Sequence, residues 1–487
     1  MTVKITFVDI PTVNQILRFK YYPNFPATTP FTNSQTFVTT RAFPGQTTIK
    51  STIELQAAEY ANNFILDSAT GQFTINQTGA VVIISTLVSP EIFDIEITGA
   101  TVFATWEIVQ DIEFVKDLPT DKLLMAYNNQ TLIFNSTYAA ALPKKATVTV
   151  NGFALDLYPR PNMTFYCNLK TYLEALVNTR KFFDTLQTDL IEGDADSFIY
   201  DYSNGMYLEA NVNISIEHQD DTIFTVSRLL KVLAGVDQLQ DYKRNEIPDT
   251  TECFVMQPVT DLSGNQFYAK YWRGYPFDIS IYSKQNDIEI VNTQTLIDST
   301  FTRKGFVNRL FFSDGENEIN VSDVLSFAEG TNRLTVNDTN FLTLEVDNEG
   351  CEGIYLKWLN KYGGYTYWLF NKQYEIQRST KDVGELFNDY NDLADTISPY
   401  TQIGKESQDE IKIATDAVTK QQNNLLSGLL RSPKVLMFTG TRYSKANFND
   451  WIEVNLKPGR TRIKEAKIDL INYELTIELP KDYTQKL

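Results

Sequence analysis

The 487-residue chain has a single histidine, His218, and three cysteines, Cys167, Cys253 and Cys351, and each scarcity removes a class of chemistry. A Ser–His or Cys–His nucleophilic pair would have to use His218, and no G-x-S-x-G elbow holds a partner for it. His218 follows the stretch Asn211–Glu217 and precedes Gln219-Asp220-Asp221, so it reads as a surface histidine at a strand end. A zinc site built from His and Cys lacks ligands. Three cysteines so far apart make neither a disulfide framework nor a C-x-x-C pair, which fits assembly in a reducing cytoplasm. No run approaches the ~18 apolar residues of a membrane span. The opening MTVKITFVDIPTV has no long apolar core and no small-residue cleavage site, so a signal peptide is not expected. Without one, the Asn-x-Ser/Thr triplets at Asn76, Asn135, Asn162 and Asn213 carry no meaning as glycosylation sites. There is no P-loop and no G-x-G-x-x-G after a strand, which excludes nucleotide chemistry.

Basic residues are in short supply as well. Against 61 acidic residues stand 43 Lys and Arg, a net charge of −18. That balance opposes wrapping nucleic acid, because phosphate binding needs a basic surface. The C-terminal part alone has a local basic cluster, Arg442, Lys445, Arg460, Arg462, Lys464 and Lys467, and a solvated face is the reading for it. Asp194-Ala195-Asp196 opens like a calcium loop, yet Phe198 stands where the third ligand belongs, and the glycine and terminal glutamate are missing. No metal and no cofactor is therefore expected. A glycosidase-like carboxylate pair leaves no mark in one sequence, since its members can lie anywhere, and nothing singles out two of the acids.

What is present is a chain that folds. Hydrophobic residues make up 43% and aromatic residues 13%, too much for a disordered chain. The length suits about three domains with cores of their own, and the patterning divides into four sections, 1–115, 116–253, 254–348 and 349–487. In the first, strand-like runs at Val3–Val8 and Ile16–Tyr21 precede a Pro-, Thr- and Phe-rich loop, Tyr22–Phe43. A helix follows over Thr52–Leu66, with Ile53, Ala57, Tyr60 and Phe64 on one face and a Ser51/Glu54 capping box. Strand-like runs return at Gln72–Gln77, Ala80–Val88 and Glu91–Thr98.

The second section has the strongest local signal, ATVTV-NG-FALDLY over 146–158, a hairpin turning at Asn151-Gly152. A helix is predicted over 168–180 with Leu169, Leu173 and Leu176 in one stripe. Asn211–Glu217 alternates with Val212, Ile214 and Ile216 inward; Arg228–Ala234 is predicted as a short helix and Asp237–Thr251 as a polar linker. The third section is strand-rich, clearest at Thr300–Ser313 and Asn340–Asp347. In the fourth, a polar loop is predicted over Arg378–Ile403. A helix over 408–430 follows, with Ile411, Ala414, Val418, Leu425 and Leu429 near one another. Strands at Val435–Phe438, Ile452–Leu456 and Leu475–Leu479 close the section. The class is mostly β with α+β decoration: several small β-sandwich- or barrel-like domains, each with one or two helices. No fixed-period repeat and no low-complexity segment interrupts it.

The fourth section opens on CEGIYLKWLNKYGGYTYWLF, residues 351–370, around which the chain is organised. Two aromatic-rich runs flank Asn360–Gly364, where Gly363 and Gly364 supply the positive-φ positions of a hairpin turn. Tyr365, Tyr367 and Leu369 face one way, and Thr366, Trp368 and Phe370 the other. Large side chains on both faces imply cover on both, one from the chain's own core and the other from a second layer or a partner surface.

This stretch resembles virion tail and neck proteins of bacteriophages infecting Bacteroidetes hosts, above all the crAss-like gut phages. The residues that carry the resemblance are C-x-x-x-Y-L-K-W-L-N-x-x-G-G-Y-x-Y-W-x-F (Cys351–Phe370), L-L-R-S-P-K-V (Leu429–Val435), Trp451-Ile452-Glu453-Val454 and I-E-L-P (Ile477–Pro480). The resemblance covers the C-terminal ~135 residues, and the first section also looks like a common phage tail module.

It implies a tail hub or baseplate-type structural subunit of the virion, with no enzymatic activity, assembled in the bacterial host cytoplasm. The expected partners are other copies in a sixfold or twelvefold ring and neighbouring tail and neck proteins, without membrane or specific nucleic acid. DNA passing through an acidic lumen is part of the same expectation. Tyr355, Trp358, Gly363, Gly364, Tyr365, Tyr367, Trp368 and Phe370 are then an assembly and packing motif. A neck ring protein of the same virion is the near alternative. A host-glycan-binding fibre module is a more distant one, with Trp272, Trp358 and Trp368 as candidates to stack on sugars. A tail-borne polysaccharide or cell-wall hydrolase is the remaining one.

Overall fold

The computed structural model describes residues 2–8, 16–22, 31–38, 46–48, 57–58, 60–61, 73–86, 92–98, 104–109, 112–138, 141–178, 184–237, 252–260, 265–316, 318–348, 352–371, 373–387, 400–462 and 472–485. The protein is mostly β, with several separate small sheets and few helices. It divides into two compact units. One comprises Met1–Thr120, Asn129–Leu173 and Glu209–Lys231; the other comprises Asp121–Asn128, Glu174–Leu208 and Val232–Leu487.

In the first unit, one four-stranded sheet runs in the order Phe73–Thr78, Val81–Thr86, Thr2–Phe7, Ala104–Val109. A second runs Gln46–Thr48, Phe31–Val38, Ile16–Tyr22, Ile92–Thr98. The strand Phe31–Val38 lies inside the expected loop 22–43 and pairs antiparallel with Ile16–Tyr22, so the Pro-rich reading was too coarse there. Of the expected helix 52–66, Ala57, Ala58, Tyr60 and Ala61 are helical, with Ala57 and Tyr60 buried; Ile53, Phe64 and the Ser51/Glu54 cap lie outside the described residues. The Asn151-Gly152 hairpin joins Pro143–Val150 to Phe153–Leu157, with φ 43° at Asn151 and 92° at Gly152. Both central residues with positive φ are what a type I′ turn requires. The helix after it spans Lys170–Val177.

Two corrections concern this unit. Residues 228–233 belong to the strand Ile223–Leu233, not to a helix: Leu230 and Val232 turn inward at a period of two and Leu229 outward. His218 is fully buried. It ends the strand Tyr207–His218 on the same face as Val212, Ile214 and Ile216, packed against Tyr138 and Phe224.

Among the described residues, three sheets lie wholly within the second unit. A four-stranded sheet runs Ile199–Asp201, Val307–Asp314, Pro276–Ser283, Cys253–Val255. A five-stranded sheet runs Gln266–Trp272, Asn340–Asp347, Gly330–Val336, Asp287–Asn292, Ile297–Thr302. Its first two strands are parallel, whereas most neighbours in the protein are antiparallel. The expected strand Thr300–Ser313 is two strands, parted at 303–306. The third sheet has seven strands, in the order Tyr365–Phe370, Ile354–Leu359, Val435–Phe438, Trp451–Leu456, Glu474–Glu478, Tyr400–Ala414, Gln373–Phe387.

The last two strands of that sheet overturn two more expectations. Residues 378–387 and 400–403 are not loop but parts of two 15-residue antiparallel strands. Residues 408–414 are strand rather than helix: Ile411 and Ile413 turn inward at a period of two and pair with Ile477 and Leu475. The helix is shorter, Lys420–Leu429, and begins at a Thr419/Gln422 capping box. It buries Leu425, Leu426 and Leu429.

Candidate functional site: a buried charge cluster behind the aromatic hairpin

Strands Ile354–Leu359 and Tyr365–Phe370 pair antiparallel in full register, and all eight residues of the expected packing motif are buried. Both covers come from the chain's own second unit. On one face, Tyr355 donates its hydroxyl to the Pro276 carbonyl at 2.9 Å and stacks on Tyr367, with ring centroids 5.8 Å apart. On the other face Trp358 lies against the helix Lys420–Leu429, where a Cβ at Gly428 would stand 3.5 Å from its Nε1. Trp368 meets Trp272 edge to face at 5.1 Å, and Phe370 is 1% exposed. The three tryptophans offered for sugar stacking, Trp272, Trp358 and Trp368, are therefore core residues and present no face to a glycan.

The turn needs its glycines for two different reasons. Gly363 has φ 87°, but Gly364 does not have positive φ, which corrects the expectation that both would. Gly364 is instead a point of close approach: a Cβ there would sit 2.9 Å from the Met256 carbonyl oxygen and 3.0 Å from Ser280 Cβ. Asn360 closes the turn, donating from Nδ2 to the Met256 carbonyl at 2.8 Å and to Thr366 Oγ1 at 3.2 Å. Gln257 completes the network, with Nε2 on the Tyr365 carbonyl at 2.7 Å and Oε1 accepting from Thr366 at 3.0 Å.

Behind the hairpin lies a cluster of four charges with almost no access to water. Arg309 pairs across the sheet with Ser280, and Asp278, two residues before Ser280, shares that face. Arg309 Nε donates to Asp278 Oδ2 at 3.1 Å, and Nη2 closes on the same oxygen. Its Nη1 reaches Asp184 Oδ1 at 2.8 Å, and Lys357 Nζ takes Asp184 Oδ2 at 2.6 Å. Tyr367 adds its hydroxyl to Asp278 Oδ2 at 2.6 Å. The cations also lie over rings, Arg309 4.8 Å from the Tyr365 centroid and Lys357 4.1 Å from that of Trp451.

Electrostatics follow from this geometry. Burial pushes the Asp184 carboxyl up, but Arg309 and Lys357 more than offset it and hold it well below the usual carboxylate range. Burial pulls the Lys357 ammonium down, and Asp184 only partly restores it. Asp184 thus has both oxygens engaged by cations, whereas Asp278 accepts all its bonds through Oδ2 and its buried Oδ1 has no hydrogen-bond partner among the described residues. The adjoining cavity, lined by Asp184, Arg309, Lys357, Tyr367 and Trp451 among others, measures about 30 Å³. That is room for a water or two, far from the ~300 Å³ and more of a small-molecule site.

Sequence reasoning missed this cluster, and it missed a second constellation in the first unit. His218 Nδ1 lies 3.1 Å from the Thr222 carbonyl, which can only accept, so Nδ1 carries a proton. In the neutral ring Nε2 then accepts from Ser136 Oγ at 2.7 Å. A Ser–His pair thus exists, but a backbone carbonyl takes the place of the orienting acid, and Asp220 is turned to Tyr138. The signal for its burial was in the sequence: His218 keeps the inward parity of Val212, Ile214 and Ile216.

The remaining candidates are settled locally. Asp194 caps a short 3-10 turn by accepting from the Asp196 amide at 3.1 Å. In the basic stretch Arg442 bonds the Arg273 carbonyl and Lys445 pairs with Asp189 at 3.0 Å, while Lys464 and Lys467 lie outside the described residues. Burial pushes the thiols of Cys167 and Cys253 up to about 12, so both are inert; Cys351 lies outside the described residues. Among the described residues no group of three or more His, Cys, Asp or Glu could hold a metal ion, and no helix is long and apolar enough to cross a membrane.

No protein-family profile matches the chain, and no curated protein matches it. Among solved structures, fibronectin(III)-like modules of Clostridium thermocellum CbhA are 9% identical, over 49% of this chain and 94% of that one, with a TM-score of 0.16. A structure from a 1.5-MDa bacterial ice-binding adhesin is 10% identical over 63% and 92%, with a TM-score of 0.17. The Bacteroides ovatus mixed-linkage glucan utilization locus protein SGBP-B, in complex with a mixed-linkage heptasaccharide, is 10% identical over 78% and 100%, at 0.13. Scores this low carry no argument about fold or function.

Proposed function

We propose that the protein is a structural subunit of a bacteriophage tail, of hub or baseplate type, which oligomerises around the tail axis and joins neighbouring virion proteins. It carries out no reaction of its own. The observation that supports this reading best is the use made of the motif behind the crAss-like resemblance. Lys357, Tyr365 and Tyr367 are spent on an internal lock with Asp184, Asp278 and Arg309, Tyr355 packs on Tyr367 beside it, and none of the four lines an opening large enough for a substrate. Such a lock suits a part that must keep its shape under load.

A neck ring of the same virion uses the same properties, and position in the particle separates the two. Cryo-electron microscopy of intact virions is the test. A ring of this chain at the tail hub is expected; its absence from the tail, with the purified chain only monomeric, overturns the proposal.

A further inference from the structure

Among the described residues the strand Gln373–Phe387 is the outer edge of the seven-stranded sheet, and every residue from Gln373 to Asp382 is exposed. Its neighbour Tyr400–Ala414 is paired on the far side only over 410–414 by Glu474–Glu478; single backbone bonds then reach Asp409 and Ser407. Beyond that point the two strands form a ribbon with no third strand among the described residues. A lone two-stranded ribbon is marginal in water, and an open edge is a template for another strand.

Protected edges carry repelling charges. This one carries Glu375, Arg378, Lys381 and Asp382, which sum to zero in a chain of −18, together with exposed Tyr374 and Ile376. The order is self-complementary. Laid antiparallel on itself about Arg378, the edge sets Glu375 opposite Lys381 twice, Ile376 opposite Thr380 and Gln377 opposite Ser379. The Arg378 side chains at the axis are each neutralised within their own chain by Asp409, at 2.6 and 2.9 Å. Register within the ribbon is regular from Gln373 to Asp382 and breaks only beyond it, which leaves a straight edge of the length required.

We propose that the Gln373–Asp382 edge pairs antiparallel with the same edge of a second copy, about a two-fold axis at Arg378, with Glu375 facing Lys381 of that copy. The inference does not rest on the tail reading. An isologous contact closes on itself, so it joins two subunits or two rings rather than building one.

The test is self-association of the full chain by sedimentation velocity over a concentration series. Glu375→Lys and Lys381→Glu each turn both opposite-charge pairs into like-charge pairs and should weaken association about tenfold or more. The double exchange E375K/K381E should restore it. Within the ribbon Glu375 faces Lys412 and Lys381 faces Glu406, so the double exchange worsens both intrachain pairs and recovery can arise only between chains. As a second measurement, the Q377C/S379C variant should give a covalent dimer on oxidation. A wild-type chain that stays monomeric, single variants that associate like wild type, a double exchange that fails to recover, or an absent cross-link each overturns the proposal.

Discussion

Arg309 and Asp184 stand 125 residues apart in the chain and meet in the interior, Nη1 to Oδ1 at 2.8 Å, with 2% and 7% of their side chains exposed. Asp184 also takes Lys357, so one carboxylate ties the segment after residue 183 to two different sheets.

Removing that carboxylate should be the most damaging conservative change in the second unit. Asp184→Asn leaves two buried cations short of a counter-charge and is expected to cost about 3–5 kcal/mol. Lys357→Met keeps the Asp184–Arg309 pair and should cost less. Urea unfolding of both variants checks the order. The low folded-state value of Asp184 adds a sign: its stabilisation is present above the ordinary carboxylate range and lost as pH falls through the depressed value. The cluster should therefore hold at pH 4.

Alkali should act in the opposite direction. Burial above all holds the phenols of Tyr355, Tyr365 and Tyr367 well above their ordinary value of 10.0. A group raised in this way gives stability that is present below pH 10 and lost as pH rises toward the folded value. Absorbance at 295 nm should show these three phenolates only together with unfolding. Reversible ionisation of all three in the folded protein near pH 10 would contradict their burial.

The hairpin turn supplies a third test. A Cβ at Gly363 would meet Met206 Cε at 2.2 Å and the Ala234 carbonyl oxygen at 2.7 Å, in a backbone region that side chains disfavour. Gly363→Ala should lower stability by about 1–3 kcal/mol, read by thermal melting. Asn151→Gly, which keeps the positive φ of an exposed turn, should change it little.

How much of this was legible depended on range along the chain. The hairpins at 146–158 and 354–370 announce themselves, because turn chemistry and alternation lie within twenty residues. The strand Gln373–Phe387 does not: polar on both faces, it lacks the alternation that burial of one face imposes. In 408–418, Ile411, Ala414 and Val418 fit a helical spacing by chance, and the cross-strand pairing of Ile411 and Ile413 decided otherwise. The charge cluster had no local signature at all, since Asp184, Asp278, Arg309 and Lys357 come from four distant segments, each one ordinary charge of the 104 in the chain.

The parallel pairing of Gln266–Trp272 with Asn340–Asp347 bears on how the chain comes to be made. A ribosome releases the first of these strands long before the second exists, and everything from 273 to 339 must be produced in between. The sheet therefore zips late, after a wide loop has closed, and such closures are slow. Until then Phe267, Tyr271 and Trp272 wait without the strand that will cover them, so this stretch is where an unfinished chain exposes apolar surface longest.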